Sequence, residues 1–314
     1  MTSSPSSTEL VVRPDLQGYP SGVDTADPPC VSLIVATVER TDTLAALLTS
    51  LSVPQPVEFE VIIVDQNPDD RLTPLLAHFQ PALSLQHVQT AVRGANRARN
   101  LGATYARYDW LGFADDDCRY RPDTLKVAQE LIATQGPVAV SGVFDDDGPG
   151  PRPEWARRPR HYRRASLPDV CESVLFVQRA AFLAVGGFDE QFGPGALFPG
   201  SEGADLVIRL LDAFPQATAE LSPQLRIWHP IKGPPWDAAA AQRLYDLGYG
   251  SGALVAKHPH FTYRVRFLSR WSRAMLTAVS STDAGKREAY RRWAVGFTHG
   301  WTEYRRRRAA RAEG

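Results

Sequence analysis

Phe113-Ala114-Asp115-Asp116-Asp117-Cys118 carries three consecutive carboxylates, directly after the apolar-rich run Tyr108-Asp109-Trp110-Leu111-Gly112-Phe113-Ala114. Such a run reads as a buried strand, which puts the acids at its C-terminal edge, where open α/β sheets present their ligands. Acids packed this closely repel one another unless a cation or a proton intervenes. An oxygen-rich cluster suits a hard divalent cation such as Mg²⁺ or Mn²⁺. A solvated acidic turn has the same composition, so the surrounding chain decides between the two.

The preceding chain supplies strands and helices in alternation. Val31-Ser-Leu-Ile-Val-Ala36 is a short β-branched run of the kind that forms a buried parallel strand. Thr37–Asp42 follows as a loop, and Leu44, Leu47, Leu48 and Leu51 then recur at helical spacing. Phe59-Glu-Val-Ile-Ile-Val64 is a second strand, ending at Asp65. A helix over 71–79, a short strand over 83–88 and a helix from Gly94 lead into the acidic triplet. This alternation predicts a right-handed, mostly parallel α/β sheet flanked by helices. The Thr37–Asp42 loop contains neither Gly-x-Gly-x-x-Gly nor a Gly-rich stretch ending in Lys-Ser/Thr, so a dinucleotide fold and a P-loop are both excluded. Any nucleotide is therefore held at strand ends, without a glycine cradle.

Composition bounds the class. The 314 residues suffice for one large core with an appended C-terminal element. Lys+Arg and Asp+Glu are both 35, so no global charge calls for nucleic acid. The charge is uneven, however: from Arg264 onward there are 13 Lys/Arg against 4 Asp/Glu, a local +9 that suggests an anionic partner. Cys30, Cys118 and Cys171 fit neither a zinc site nor a disulfide framework, and a reducing compartment is expected. No stretch approaches a membrane span, and no signal peptide is expected. Three regions follow: a disordered leader over 1–28, a catalytic domain over 29–235 and a helical, basic extension over 236–314.

Five segments in order resemble glycosyltransferase family 2: Val31–Arg40, Glu60–Asp65, Ala98-Arg-Asn-Leu-Gly102, Asp115-Asp-Asp117, and Val185-Gly-Gly-Phe-Asp-Glu190 with Asp205-Leu206 and Arg209. The resemblance covers roughly residues 30–230. It implies a GT-A fold and an inverting transfer from a nucleoside-diphosphate sugar to a saccharide or lipid-linked acceptor, in bacterial surface-polysaccharide assembly. By that resemblance Thr37, Glu39 and Asp65 hold the nucleoside, although Glu39 stands where the family often has Asn. Arg99 lies near the nucleotide, and Asp115 and Asp116 contact the ribose or sugar. Asp117 ligates Mn²⁺ or Mg²⁺, and His229 in Ile227-Trp-His-Pro230 completes the metal site.

The general base departs from the family pattern, Glu-Asp-x-Asp-Leu, in which the second acid takes the acceptor's proton. Here the run is Glu202-Gly-Ala-Asp-Leu206, so Gly203 occupies that place and Glu202 or Asp205 must serve. The gap keeps a second reading open, a non-catalytic nucleotide-sugar binder. A nucleotidyltransferase is a third, disfavoured by the first loop.

Ser141–Pro153, with the arginines at 157, 158, 160, 163 and 164 behind it, reads as a long loop over the site; Asp145–Asp147 within it reads as a turn. From about Trp236 the chain is helical. Gly248-Tyr-Gly-Ser-Gly252 reads as a turn or a close-packing device. The helix over 261–279 alternates Phe267, Trp271 and Met275 with arginines, as do helices that lie on anionic membranes; packing on the catalytic domain is the other reading. A cytoplasmic location, or one peripheral to the inner face of a membrane, is expected.

Overall fold

The computed structural model describes residues 29–145, 157–230 and 236–313. The leader over 1–28 and the second and third acids of Asp145–Asp147 lie outside the described residues.

Three parallel strands set the frame. β1 (Val31–Thr37) pairs with β2 (Phe59–Asp65) on one side and β4 (Trp110–Asp115) on the other, and β3 (Leu85–Gln89) extends the sheet beyond β2. Their apolar runs are uninterrupted because both faces are covered. Leu33, Val35 and Ile63 face α1 (Asp42–Leu51), α2 (Thr73–Phe79) and α4 (Thr124–Gln135). Ile34, Ile62 and Val64 face α3 (Ala95–Tyr105), α5 (Arg179–Ala184) and α6 (Glu202–Ala213). Gly102 of α3 is what lets that helix lie close, since a β-carbon there would sit 2.5 Å from Ile34 Cγ2. The register matches Thr37 to Asp65 and Ala36 to Asp115, so three strand ends carrying polar side chains stand level at one sheet edge.

The far half of the sheet is less parallel than the sequence pattern predicts. β8 (Leu175–Gln178) runs antiparallel between β4 and β6 (Ala139–Asp145), while β9 (Ala219–Trp228) pairs with β6 in parallel. β5 (Arg119–Tyr120) and β7 (Arg160–Tyr162) join β9 antiparallel. Among the described residues between β6 and β8 there is no α-helix, only β7 and the 3-10 turn Glu172–Val174 that leads directly into β8, so the strand does not enter by a helical βαβ crossover. Within the arginine-rich stretch expected as loop, residues 160–162 are strand.

Three helices close the chain. α7 (Ala238–Lys257) is capped by Asp237, whose carboxylate accepts from the Ala240 N–H at 2.7 Å. α8 (Phe261–Ser280) and α9 (Ala284–Glu313) follow. The Gly248–Gly252 run makes no turn: it is interior to α7 and is there for packing. β-carbons on Gly248 and Gly252 would lie 2.1 and 2.0 Å from the backbone oxygens of Trp293 and Phe297 on α9. Gly296 and Gly300 of α9 meet Tyr245 and Tyr249 of α7 in the same way. A third core, with Phe192, Phe198, Ile208, Leu254, Tyr263 and Phe267, fixes these helices to α6 and the loop before it. Among the described residues no helix is long and apolar enough to cross a membrane.

Candidate active site

β4 ends at Asp115, and the chain turns at once, the Cys118 N–H donating to the Asp115 carbonyl at 3.2 Å. β5 then pairs Arg119 with Trp228, the last residue of β9, so His229, which follows the strand, arrives beside the turn. Its Nε2 lies 3.6 Å from Asp115 and 3.5 Å from Asp117. The ring is stacked on Phe144, with centroids 4.6 Å apart. One ligand atom from each of Asp115, Asp117 and His229 falls within 4.8 Å of the others. Two carboxylate oxygens and an imidazole nitrogen suit Mn²⁺ and fit a divalent cation of this kind. Burial alone would raise the Asp115 carboxyl; the His229 ring, the Arg99 guanidinium and the Ser173 hydroxyl outweigh it and hold the group well below the usual carboxylate range.

Asp116 points the other way. It accepts from Thr37 Oγ1 at 2.7 Å and from Arg40 at 2.8 Å, and Arg40 also binds Asp117. The triplet thus divides, with its outer acids toward His229 and its middle acid tying the first loop to β4.

Behind this cluster lie two further acids. Arg99 of α3 is buried and donates to Asp115 Oδ1 at 2.8 Å and to Asn96 at 3.0 Å; it stands 3.6 Å from Glu202. Glu202 opens α6 at only 5% exposure, and its Oε2 has no hydrogen-bond partner among the described residues. Glu172, in the short 3-10 turn Glu172–Val174, accepts from the Gly203 N–H at 3.1 Å, while its neighbour Ser173 donates to Asp115. Burial first, and the Glu202 charge second, push Glu172 up to about 8; burial also raises Glu202, against the opposing Arg99 charge.

Asp205 is differently placed. It is fully buried, with Arg209 Nε at 2.8 Å from one oxygen and Lys257 Nζ and His258 Nε2 at 2.6 and 2.7 Å from the other. Burial would raise it; His258, Arg209 and Lys257 together hold it well below the usual range. Both oxygens of Asp205 are engaged from within.

Residues 32–183 match the family model described as Glycosyl transferase family 2. This segment is a glycosyltransferase family 2 domain. An uncharacterised glycosyltransferase of Haemophilus influenzae is 32% identical over 102 residues, covering 32% of this chain and 34% of that protein. The succinoglycan biosynthesis protein ExoO of Rhizobium meliloti is 32% identical over 157 residues, 47% of this chain and 44% of that protein. The chain spans less than half the length of either relative. Among solved structures, the mannosyltransferase PcManGT of Pyrobaculum calidifontis, in complex with GDP-Man and Mn²⁺, has a TM-score of 0.58 at 16% identity, covering 90% of this chain and 88% of that one. S. aureus TarS 1-349 has a TM-score of 0.56 at 14% identity, covering 88% and 91%. The fold is of the GT-A type.

Within this GT-A fold the structure gathers Asp115, Asp117, His229, Arg99 and Glu202 around one sheet edge, and Thr37 reaches them through Asp116. Asp65 ends β2 fully buried, with one oxygen accepting from the Asn67 N–H and Nδ2 and the other 2.9 Å from His87 Nε2. Glu39 is exposed on the rim. Its φ of 59° is in the left-handed region, which Asn adopts more readily than Glu, and its N–H donates to Asn67 Oδ1 at 2.7 Å. Sequence reading missed Glu172, Arg40, Asn67 and His87. Arg40 and Asn67 sit in the two loops already singled out, next to the chosen residues. Glu172 carried no signal, since its neighbours in space come from helices 30 and 70 residues away.

Proposed function

We propose that this chain is an inverting glycosyltransferase that moves a sugar from a nucleoside-diphosphate sugar to a saccharide or lipid-linked acceptor. The observation that carries the reading is the convergence of Asp115, Asp117 and His229 at the edge where β1, β2 and β4 end. Relatives support it: they include a hyaluronan synthase of Pasteurella multocida and a chondroitin synthase of Escherichia coli, and TarS is known with UDP-GlcNAc.

Asp115, Asp117 and His229 would hold the cation, Mn²⁺ better than Mg²⁺ because imidazole is a poor ligand for the harder ion. When bound, a divalent cation supplies positive charge beside the two phosphates. Asn67, the Glu39 backbone and Asp65 shape the nucleoside end; Asp65 acts by fixing Asn67 and His87. Arg99 matches the charge of Asp115 and keeps that carboxylate ionised. The acceptor's proton goes to the carboxylate group at the start of α6, of which Glu202 is the member carried by the helix. Asp205 takes no part in proton transfer, because both its oxygens are engaged from within by Arg209, Lys257 and His258. Bacterial surface-polysaccharide assembly at the inner face of a membrane is the setting we infer.

Calorimetric titration with UDP, GDP, TDP and CDP, with and without Mn²⁺, tests the reading on wild type and Asp117→Ala. One diphosphate should bind with a Mn²⁺ requirement that the substitution abolishes. Binding that ignores both metal and substitution sinks the proposal. A wild type that binds the diphosphate yet releases none from any sugar donor is a nucleotide-sugar binder, the reading that Gly203 favours.

A further inference from the structure

The start of α6 lacks a carboxylate at Gly203, and the structure shows what fills the space. A β-carbon built on Gly203 would lie 2.8 Å from Cγ and from Oε1 of Glu172, and 2.8 Å from Val170 Cγ1. A side chain at 203 and the carboxylate of Glu172 compete for the same volume. Glu172 Oε1 is anchored there by the Gly203 N–H.

We infer that Glu172, brought to Gly203 by the 3-10 turn, is the catalytic carboxylate that receives the acceptor's proton, in place of an acid on the helix itself. This rests on the transferase reading and says which carboxylate of the Glu172–Glu202 pair does the work. Glu202 is the more deeply buried of the two, and Arg99 matches its charge at 3.6 Å. Among the described residues no cation stands within ion-pair distance of Glu172, and it remains partly open to solvent. A carboxylate close to a second one, and without its own counter-ion, holds a proton more tightly than an exposed acid does. That brings its affinity toward the range a general base needs near neutral pH.

The step balances as follows. The acceptor O–H bond breaks and its proton passes to the Glu172 carboxylate. The acceptor oxygen forms a bond to the anomeric carbon. The bond from that carbon to the diphosphate breaks, its electron pair leaving on the nucleoside diphosphate.

The test uses the full chain, Mn²⁺ and a panel of nucleoside-diphosphate sugars including UDP-GlcNAc and GDP-mannose, with water as the acceptor and diphosphate release as the readout. Glu172→Gln should lower kcat by about 100- to 10,000-fold, and Mn²⁺-dependent diphosphate binding should stay within about threefold, as for a group that acts only in the transition state. A second variant returns the acid from the helix: Gly203→Asp combined with Glu172→Ala and Val170→Ala, which clears the space, should recover at least about tenfold of the lost kcat. Retention of wild-type kcat in Glu172→Gln overturns the inference, as does loss of diphosphate binding in step with turnover. So does a triple variant that binds the diphosphate but recovers nothing. If Asp117→Ala and Glu202→Gln abolish release while Glu172→Gln keeps it, this assignment falls and the transferase reading stands. If the wild type releases no diphosphate from any donor, both fall.

Discussion

Lys257, the last residue of α7, places its ammonium 2.6 Å from the buried carboxylate of Asp205 in the first turn of α6. The pair connects the C-terminal helices to the helix whose opening residues line the site. The same carboxylate also meets Arg209, which donates to the carbonyls of Val185 and Gly187. One buried acid therefore ties together α6, α7 and the Gly-Gly loop before them.

Removing that acid leaves its cationic partners without their counter-charge. Asp205→Ala should cost about 3–5 kcal/mol, the range for breaking one side of a buried ion pair, read as a lower urea midpoint. The folded Asp205 carboxyl lies below its unfolded value of 3.8. Its contribution is therefore complete above that value and is lost as pH falls through the folded one. The stability gap between wild type and Asp205→Asn should narrow in acid; a gap that widens there refutes the assignment.

His229 tests the metal cluster separately from turnover. The ring nitrogen is the one ligand of the three that discriminates between cations, since imidazole suits Mn²⁺ and serves Mg²⁺ poorly. His229→Ala should weaken Mn²⁺ binding by about tenfold or more and leave weak Mg²⁺ binding nearly as it was. Electron paramagnetic resonance of free Mn²⁺ during titration of the protein reads this without any donor sugar. Equal loss for the two ions would mean that His229 only positions Asp115 and Asp117.

The glycines of α7 make the opposite kind of prediction from a propensity scale. Alanine is the better helix former by about 1 kcal/mol, so Gly252→Ala at an open position would stabilise. Here the new methyl would stand 2.0 Å from the Phe297 carbonyl oxygen. Prising α7 and α9 apart should outweigh the propensity gain and destabilise by about 1–3 kcal/mol net. Thermal melting, with limited proteolysis to detect release of α9, would show it. A rise in melting temperature would mean that the helices separate without cost.

What could be read from sequence divides along physical lines. The strands ending at Thr37, Asp65 and Asp115 were legible because burial on both faces leaves an unbroken apolar run, and their acids mark where burial stops. Gly248–Gly252 left a turn and a close-packing device both open, because glycine is poor in an isolated helix; what makes it a packing device lies in another helix some 45 residues on, at Trp293 and Phe297. Asp205 sits in the first turn of a helix, as the sequence suggested, but Lys257 and His258 come from more than 50 residues away. The antiparallel entry of β8 and the arrival of Glu172 at Gly203 have the same origin. Both depend on which segments meet in space, and local composition carries no trace of that.

Glu172 offers a measurement on the folded protein alone. Burial and the Glu202 charge raise its carboxyl from 4.5 in the unfolded chain to about 8, and the proton concerned belongs to the pair as a whole. Below pH 4.5 both states carry it, and nothing is lost. Between that value and about 8 the unfolded chain has released a proton that the folded chain keeps, so stability falls as pH rises. Glu172→Gln removes the titration and still offers an oxygen to the Gly203 N–H. In metal-free buffer its urea midpoint should therefore climb relative to wild type from pH 5 toward pH 8 and level off above that. The Asp205 variants predict the reverse slope in acid, so the two sites are separable in one pH series. A difference between Glu172→Gln and wild type that is constant across the range would mean that Glu172 is ionised throughout, and that Arg99 serves both acids equally.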